Sequence, residues 1–255
     1  MKYIHNQNLT GKVVLVTGAA RGIGRAICLG MAEAGADIAA GLRDVEVDSG
    51  LVSEVKKLGR DILPLQMDVA DKRQIDDAVE KAIGHFGKID VLVNNAGIAP
   101  ANSIEDYTEQ DFDRTITVNL KGTYFTSQAV GKHMIRQKQG CIINLSSQAG
   151  FIALPEESVY CMTKAGIAHL TKCFAAEWAK YHINVNAIAP TFIETPGTEP
   201  WLKQPEFKKQ VLSNILLNKI GQPIDVASAA VYLASPAGNM ITGATLMIDG
   251  GWTIV

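Results

Sequence analysis

Tyr160 and Lys164 lie four residues apart in the stretch SVYCMTKAG, Ser158 to Gly166. At that spacing two side chains share one face of a helix. Neither is a neutral-pH acid or base by itself, since their reference pKa values are about 10 and about 10.4. An ammonium beside a phenol favours the phenolate, so Lys164 is expected to lower the pKa of Tyr160. Bringing that pKa from roughly 10 toward roughly 7 needs on the order of 4 kcal/mol. One exposed pair does not supply this, whereas a partly buried lysine with a second positive charge nearby would. A tyrosine so tuned is a general acid–base toward a substrate oxygen. Tyr–Lys pairs at this spacing are also common on ordinary helices, so the pair needs support from the rest of the chain.

The elements that must hold it can be read from hydropathy. Seven short apolar runs recur: VVLVT (13–17), DIAAG (37–41), ILPLQ (62–66), IDVLV (89–93), CIINL (141–145), INVNAI (183–188) and ATLMI (244–248). Each has strand length, and most are apolar on both faces, which suits a buried parallel sheet. Helix-like patterns fill the intervals, as at Arg25 to Ala34 and Arg73 to His85. The alternation predicts an α/β fold, a doubly wound seven-stranded parallel sheet with helices on both faces. No linker interrupts it, so residues 1–255 are expected to form a single domain.

One region breaks the rhythm. The stretch PTFIETPGTEPWLKQPEF (190–207) holds Pro190, Pro196, Pro200 and Pro205, which oppose a continuous helix. It also carries Phe192, Ile193, Trp201 and Leu202. A long segment of this kind reads as a substrate lid over about residues 190–215, against the plainer reading of a surface excursion with apolar anchors.

Composition narrows the function classes. The 255 residues are 47% apolar and 20% charged, with a formal charge of −2. Nothing global points to nucleic acid or an acidic membrane. No apolar run reaches the roughly 18 residues of a membrane span. The N-terminal MKYIHNQNLTGK lacks a secretory core, so the expected setting is cytoplasmic. Cys28, Cys141, Cys161 and Cys173 show no CxxC spacing, which reads as reduced thiols and no metal site. The sequons at Asn8 and Asn144 read as chance matches. His5, His85, His133, His169 and His182 form no visible constellation.

VVLVTGAARGIGRAI joins a predicted strand to a predicted helix through Gly18, Gly22 and Gly24. Glycines at such a junction let an anion approach the backbone and the unpaired N–H groups of a helix start. The spacing is GxxxGxG, which resembles the short-chain dehydrogenase/reductase family. NNAG at 94–97, Asn119 in VNLKG, Ser147 thirteen residues before Tyr160, and the C-terminal LASPAGNMITGATLMIDGG extend the resemblance over nearly the whole chain.

The resemblance implies a Rossmann-like domain that binds a nicotinamide dinucleotide and moves a hydride between a secondary alcohol and a ketone. It implies Tyr160 as acid–base and Ser147 as the donor that positions the substrate oxygen. Lys164 would tune the tyrosine and hold the nicotinamide ribose, and Asn119 would hold a water in a relay toward Lys164. It places the cofactor against Gly18, Arg21, Gly22, Ile23, Gly24, Asp68, Val69, Asn95, Ala96, Gly97, Tyr160, Lys164, Pro190, Ile193 and Thr195. Thr191 departs from the family's Pro-Gly after the sixth strand and leaves the loop path there open.

The position where family members often carry an acidic ribose ligand falls on Leu42, followed by Arg43. A basic residue there resembles NADP(H)-preferring members, so NADP(H) is favoured over NAD(H), with Arg21 as a second contact. Asp44 could pair with Arg43 or reach a ribose instead.

Ser147, Gln148, Tyr160 and Trp201 are the substrate residues expected, with Phe151, Pro155, Glu156 and Phe192 as further walls. Glu156 and Glu157 would suit hydroxyl-rich substrates and disfavour anions, or else face solvent. The C-terminal half looks most like relatives acting on sugars and polyols. The alternatives are a 3-oxoacyl-acyl-carrier-protein reductase, with Lys121, Lys132, Arg136 and Lys138 as a carrier patch, and a nucleotide-sensing regulator without turnover. The expected partners are a small-molecule substrate and three further copies in a homotetramer. Thr123, Phe125, Ala129 and the C-terminal DGGWTIV are its candidate contacts.

Overall fold

In the computed structural model, residues 5–47 and 49–254 are described. The first four residues of the polar N-terminal stretch, Asp48 and Val255 lie outside that set. Seven strands form one sheet: β1 (Val13–Thr17), β2 (Asp37–Leu42), β3 (Ile62–Gln66), β4 (Val91–Asn94), β5 (Gly140–Leu145), β6 (Ile183–Pro190) and β7 (Thr245–Ile248). Their order is β3-β2-β1-β4-β5-β6-β7, and every pairing is parallel. This is the predicted sheet, with ends that differ by one or two residues.

The helices are α1 (Gly22–Glu33), α2 (Leu51–Lys57), α3 (Lys72–Phe86), α4 (Glu109–Ile116), α5 (Gly122–Gln137), α6 (Ser158–Trp178), α7 (Glu199–Leu202), α8 (Pro205–Asn214) and α9 (Pro223–Ala234). Alternate side chains on each strand point to opposite faces, so a strand apolar at every position feeds two cores. Val14, Val16, Val91, Val93 and Ile143 join α1, α2 and α9 on one face. Leu15, Leu92 and Ile142 join α3, α5 and α6 on the other. Local signals set the helix ends: Asp71 caps α3 through Arg73 N at 2.9 Å, and Gly87 closes it at φ 77°.

Two features position the site. Strand order reverses between β1 and β4, which opens a crevice at the carboxyl ends of those strands. Below it runs a buried polar web. Asn94 donates to Ser127 at 2.9 Å and to Asn144 at 2.8 Å, and Asn144 donates to Thr171 at 2.9 Å. The web joins β4, β5, α5 and α6, and each bond satisfies a group that burial would otherwise penalise. It also removes Asn144 from any modifying enzyme.

The proline-rich segment is two short helices, with Pro200 and Pro205 in their first turns, where a missing N–H costs nothing. An aromatic cluster ties it to the C-terminal turn: Phe192 lies 5.7 Å from Trp252 and 5.5 Å from Phe207, and Trp201 6.2 Å from Phe207.

Two expectations are corrected here. Thr123 and Ala129 are buried within the chain, so these two face the core rather than a partner, while Phe125 is half-buried against it. Lys132, Arg136 and Lys138 sit toward the end of α5, just before β5 begins, at the opposite end of the sheet from the crevice. These three cannot form a carrier patch at its mouth; Lys121, the fourth residue of that expectation, is exposed at the other end of α5. Among the described residues no helix is long and apolar enough to cross a membrane, and no group of acidic, His and Cys side chains could hold a metal.

Candidate active site

The glycine turn is built so that nothing projects from it. Gly18 and Gly22 adopt φ 65° and φ 57°, a region that side chains rarely enter. A Cβ on Gly24 would run into the Gly18 carbonyl and the Asn95 amide, and one on Gly18 would lie 3.1 Å from Ala96 Cα. Asn95 clamps the turn from the neighbouring strand, its Nδ2 donating to Thr17 O at 2.9 Å and Gly18 O at 3.1 Å. Thr17 Oγ1 in turn accepts from the backbone of Asn95 and Ala96, both at 3.0 Å. The result is a bare backbone surface opening onto the start of α1, a fit for a dinucleotide's phosphates.

A cleft of about 280 Å³ follows, lined in part by Asn95, Gly97, Ser147, Tyr160, Lys164 and Thr191. Ile23, Pro190, Ile193 and Thr195 also border it. Residues from α1, the loop after β4, β5, β6 and α6 thus converge at one end of the sheet.

Lys164 is 5% exposed and donates from Nζ to the Leu145 carbonyl at 2.7 Å. Burial pulls its pKa down to about 8. Its ammonium lies 5.4 Å from the centre of the Tyr160 ring. Tyr160 departs from expectation: burial pushes its pKa up to about 12, opposed by the hydrogen bond from Ser147 and reinforced by Glu157 and Cys161. The depression expected from Lys164 does not arise from the chain's own groups. The reason is physical: desolvation of the phenolate is the dominant effect, and only the Ser147 hydrogen bond opposes it.

Ser147 Oγ accepts from Ala149 N at 3.1 Å, which leaves its O–H to donate. The preceding Ser146 holds the Lys164 carbonyl at 2.8 Å, so both halves of the serine doublet fasten α6 to the end of β5. Asn119 is buried in a widened, π-helical turn, Thr117–Lys121. Its amide is committed, with Oδ1 accepting from Ile98 N at 2.9 Å and Nδ2 donating to Ile98 O at 2.9 Å and Thr163 Oγ1 at 3.0 Å. Its carbonyl also takes the Thr123 hydroxyl at 2.7 Å. Asn119 thus braces the loop at 97–98.

The remaining residues divide. Leu42 is buried and Arg43 and Arg21 are exposed, with neither guanidinium partnered among the described residues. Asp44 does not pair with Arg43; its carboxylate accepts from Glu46 N at 3.0 Å. Asp68 accepts from Ala70 N at 2.9 Å, and Val69 is buried against Gly122. Gln148 is buried with its Oε1 unpartnered among the described residues, as is Thr191 Oγ1. Thr191 is absent from the positive-φ residues, so the loop after β6 needs no glycine. Phe151 is 49% exposed and Trp201 52% exposed, outside the residues lining the cleft. Sequence reasoning missed Thr17, Leu145, Ser146, Thr163 and Thr198, which act through backbone or hydroxyl contacts. The hydroxyl before Gly18 and the Ser146–Ser147 doublet were the available signals.

Residues 18–253 match the family described as Enoyl-(Acyl carrier protein) reductase. The chain is 43% identical over 247 residues to the 3-oxoacyl-acyl-carrier-protein reductase FabG of Thermotoga maritima, covering 96% of this chain and 99% of that one. It is 41% identical over 250 residues to the NAD-dependent glycerol dehydrogenase of Listeria innocua serovar 6a, covering 97% and 96%. The crystal structure of a gluconate 5-dehydrogenase from Burkholderia cenocepacia J2315, in complex with NADP and tartrate, superposes with a TM-score of 0.94 at 34% identity over 98% of both chains. With its parallel sheet, glycine turn and Ser147–Tyr160–Lys164 cleft, the chain belongs to the short-chain dehydrogenase/reductase family, a family of nicotinamide-dependent oxidoreductases.

Proposed function

We propose that this oxidoreductase interconverts a secondary alcohol and a ketone on an uncharged, hydroxyl-rich substrate, a polyol or sugar. One observation carries the substrate class. Among the described residues lining the cleft, Lys164 is the single charged side chain, and its ammonium is engaged by the Leu145 carbonyl. That lysine is also the one this reading gives to the nicotinamide half of the cofactor, so a substrate carboxylate or phosphate would find no cation of its own beside the reacting atoms, whereas hydroxyls would meet hydroxyl and carbonyl partners.

The bound nicotinamide supplies the hydride chemistry. Gly18, Gly22, Gly24 and Ile23 would carry its phosphates, Asp68 and Val69 its adenine, and Asn95, Ala96, Gly97, Lys164, Pro190, Ile193 and Thr195 its nicotinamide half. Ser147, whose O–H meets the Tyr160 phenol when the cleft is empty, would donate to the substrate oxygen lying between the two. Tyr160, a phenol at neutral pH, gives that oxygen a proton in reduction and takes it back in oxidation. Lys164 holds the floor of the site, and Asn119 holds the loop carrying Gly97.

NADP(H) is the favoured cofactor. Leu42 offers no carboxylate to a ribose, and Arg43 and Arg21 present two exposed guanidinium groups suited to a 2′-phosphate. Reduced cysteines fit a cytoplasmic setting. A homotetramer is part of this reading: β7 is an edge strand, half-exposed and apolar, and such an edge invites a second copy. The segment 190–215 acts as the lid.

The carrier-dependent reductase is the second reading, favoured by the 43% identity to the Thermotoga enzyme. The experiment is a turnover assay following the near-ultraviolet absorbance of reduced nicotinamide. Polyols, sugars, simple secondary alcohols and a 3-oxoacyl thioester are each run with NAD(H) and with NADP(H). Polyol or sugar turnover supports the proposal. Turnover of the thioester alone replaces it with the carrier reading. Cofactor binding without any turnover replaces it with a sensor.

A further inference from the structure

Thr198 immediately precedes α7, at the position where a threonine ordinarily turns its hydroxyl forward to cap the helix. Its side chain makes no such bond. The hydroxyl turns back instead, toward the segment that leaves β6, and both Thr195 and Thr198 line the cleft. Thr198 Oγ1 donates to the Ile193 carbonyl, its shortest contact, with the Thr195 carbonyl at 3.3 Å. It accepts from Thr195 N at 3.0 Å, and the Thr195 hydroxyl lies 3.1 Å from it. In return the Thr198 N–H lies 3.3 Å from Thr195 Oγ1. This knot sits across the crevice from the glycine turn: a Cβ on Gly22 would lie 3.4 Å from Thr195 Cβ.

Counting protons gives these bonds their direction. A threonine hydroxyl has one proton to give and two lone pairs. The proton of Thr198 goes to backbone carbonyls, which can only accept. Its oxygen therefore accepts from Thr195, once from the N–H and once from the O–H. The Thr195 proton is thereby spent, and Thr195 offers the cleft an oxygen that accepts and does not donate.

We infer that Thr198 is a positioning residue for cofactor recognition: by taking the Thr195 proton it makes Thr195 an acceptor for the amino group of the nicotinamide carboxamide. The inference rests on the reading above that gives Thr195 to the nicotinamide half. An acceptor at Thr195 distinguishes a carboxamide, which carries N–H donors, from a ring substituent of similar shape that has a carbonyl alone. It also sets which end of the amide faces Thr195.

The test titrates NAD⁺ and NADP⁺, their 3-acetylpyridine analogues, in which a methyl ketone replaces the carboxamide, and ADP-ribose with and without a 2′-phosphate, which lacks the ring. Wild type, Thr198→Val and Thr198→Ser are compared by calorimetry. Wild type is expected to bind the carboxamide cofactor roughly five- to tenfold tighter than its acetyl analogue, the worth of one ordinary hydrogen bond. Thr198→Val, which cannot take the Thr195 proton, should cut that ratio to about twofold or less. Thr198→Ser restores the hydroxyl and should keep it. Affinity for the ring-free nucleotide should stay within about twofold in all three. An unchanged ratio in Thr198→Val, or no preference in wild type, overturns the inference and leaves the oxidoreductase reading standing. An equal loss of ring-free nucleotide binding in Thr198→Val shows a merely structural role and also overturns it. A wild type that binds the ring-free nucleotides as tightly as the whole cofactors overturns the placement of Thr195 against the nicotinamide, and the inference with it. No substrate enters these titrations, so failure of the polyol assignment leaves their outcome untouched.

Discussion

The ammonium of Lys164 is held by the carbonyl of Leu145 at 2.7 Å, which ties α6 to the last residue of β5 at the wall of the cleft. The lysine is thus anchored by the sheet, and its charge is carried at the cost of lost hydration. Its folded pKa of about 8 lies below its ordinary 10.5, so between those values the unfolded chain binds more protons. Stability should therefore rise with pH across that window. Tyr160, raised to about 12 from 10, acts in the opposite sense above pH 10, where the unfolded chain loses its proton first. Urea midpoints measured from pH 7 to pH 11 should climb and then turn over. Lys164→Met should flatten the climb.

Tyr160→Phe should keep the fold and cofactor affinity while turnover falls by roughly 10²–10⁴-fold. In wild type, reduction should hold level through neutral pH and fail in strongly alkaline solution. Oxidation should rise with pH, since it needs the phenolate. A reductive rate that peaks well below neutrality would point to another acid.

Arg43→Ala should weaken NADP(H) binding roughly tenfold and leave NAD(H) within about twofold, because a charge-assisted bond to phosphate is worth about 1.5–3 kcal/mol. Isothermal titration with both cofactors reads this directly. Equal losses would remove Arg43 as the reader of the 2′-phosphate.

Gly24→Ala puts a methyl group where the Gly18 carbonyl and Asn95 amide already sit. The backbone has to shift, at about 1–3 kcal/mol. Thermal unfolding should drop by several degrees, and cofactor affinity should fall with it.

Thr191→Val removes a buried hydroxyl without a partner among the described residues. An isosteric apolar replacement of such a group is neutral or stabilising by up to about 1 kcal/mol. Chemical unfolding of the cofactor-free protein measures this. A loss of more than about 1 kcal/mol would show that the hydroxyl is satisfied in solution.

The sheet was legible because its strands are apolar on both faces and its glycine turn has one purpose; Val13–Thr17 and Gly18–Gly24 needed no tertiary knowledge. The Tyr160–Lys164 spacing was legible because both residues lie on one helix. What sequence spacing cannot show is solvation. Tyr160 was expected to lose proton affinity to its lysine neighbour and gains it instead, because burial is a property of the whole packed cleft. The same blindness applied to Thr123 and Ala129, whose stripe reads equally as interface or core until α3 and the sheet are in place. Glu156 and Glu157 could not be told apart in sequence, since one residue's left-handed turn separates their fates.

The aromatic cluster at the proline-rich segment has an optical consequence. The chain has three tryptophans. Trp178 stacks on Phe174 at 4.6 Å in the sheet's core layer, and Trp201 and Trp252 belong to the cluster of Phe192 and Phe207. Two of the three intrinsic fluorophores therefore report on residues 190–215, and one serves as an internal standard. Movement of that segment should change emission colour and quenching without any dye, and Trp201→Phe would assign the signal to the helix that carries it.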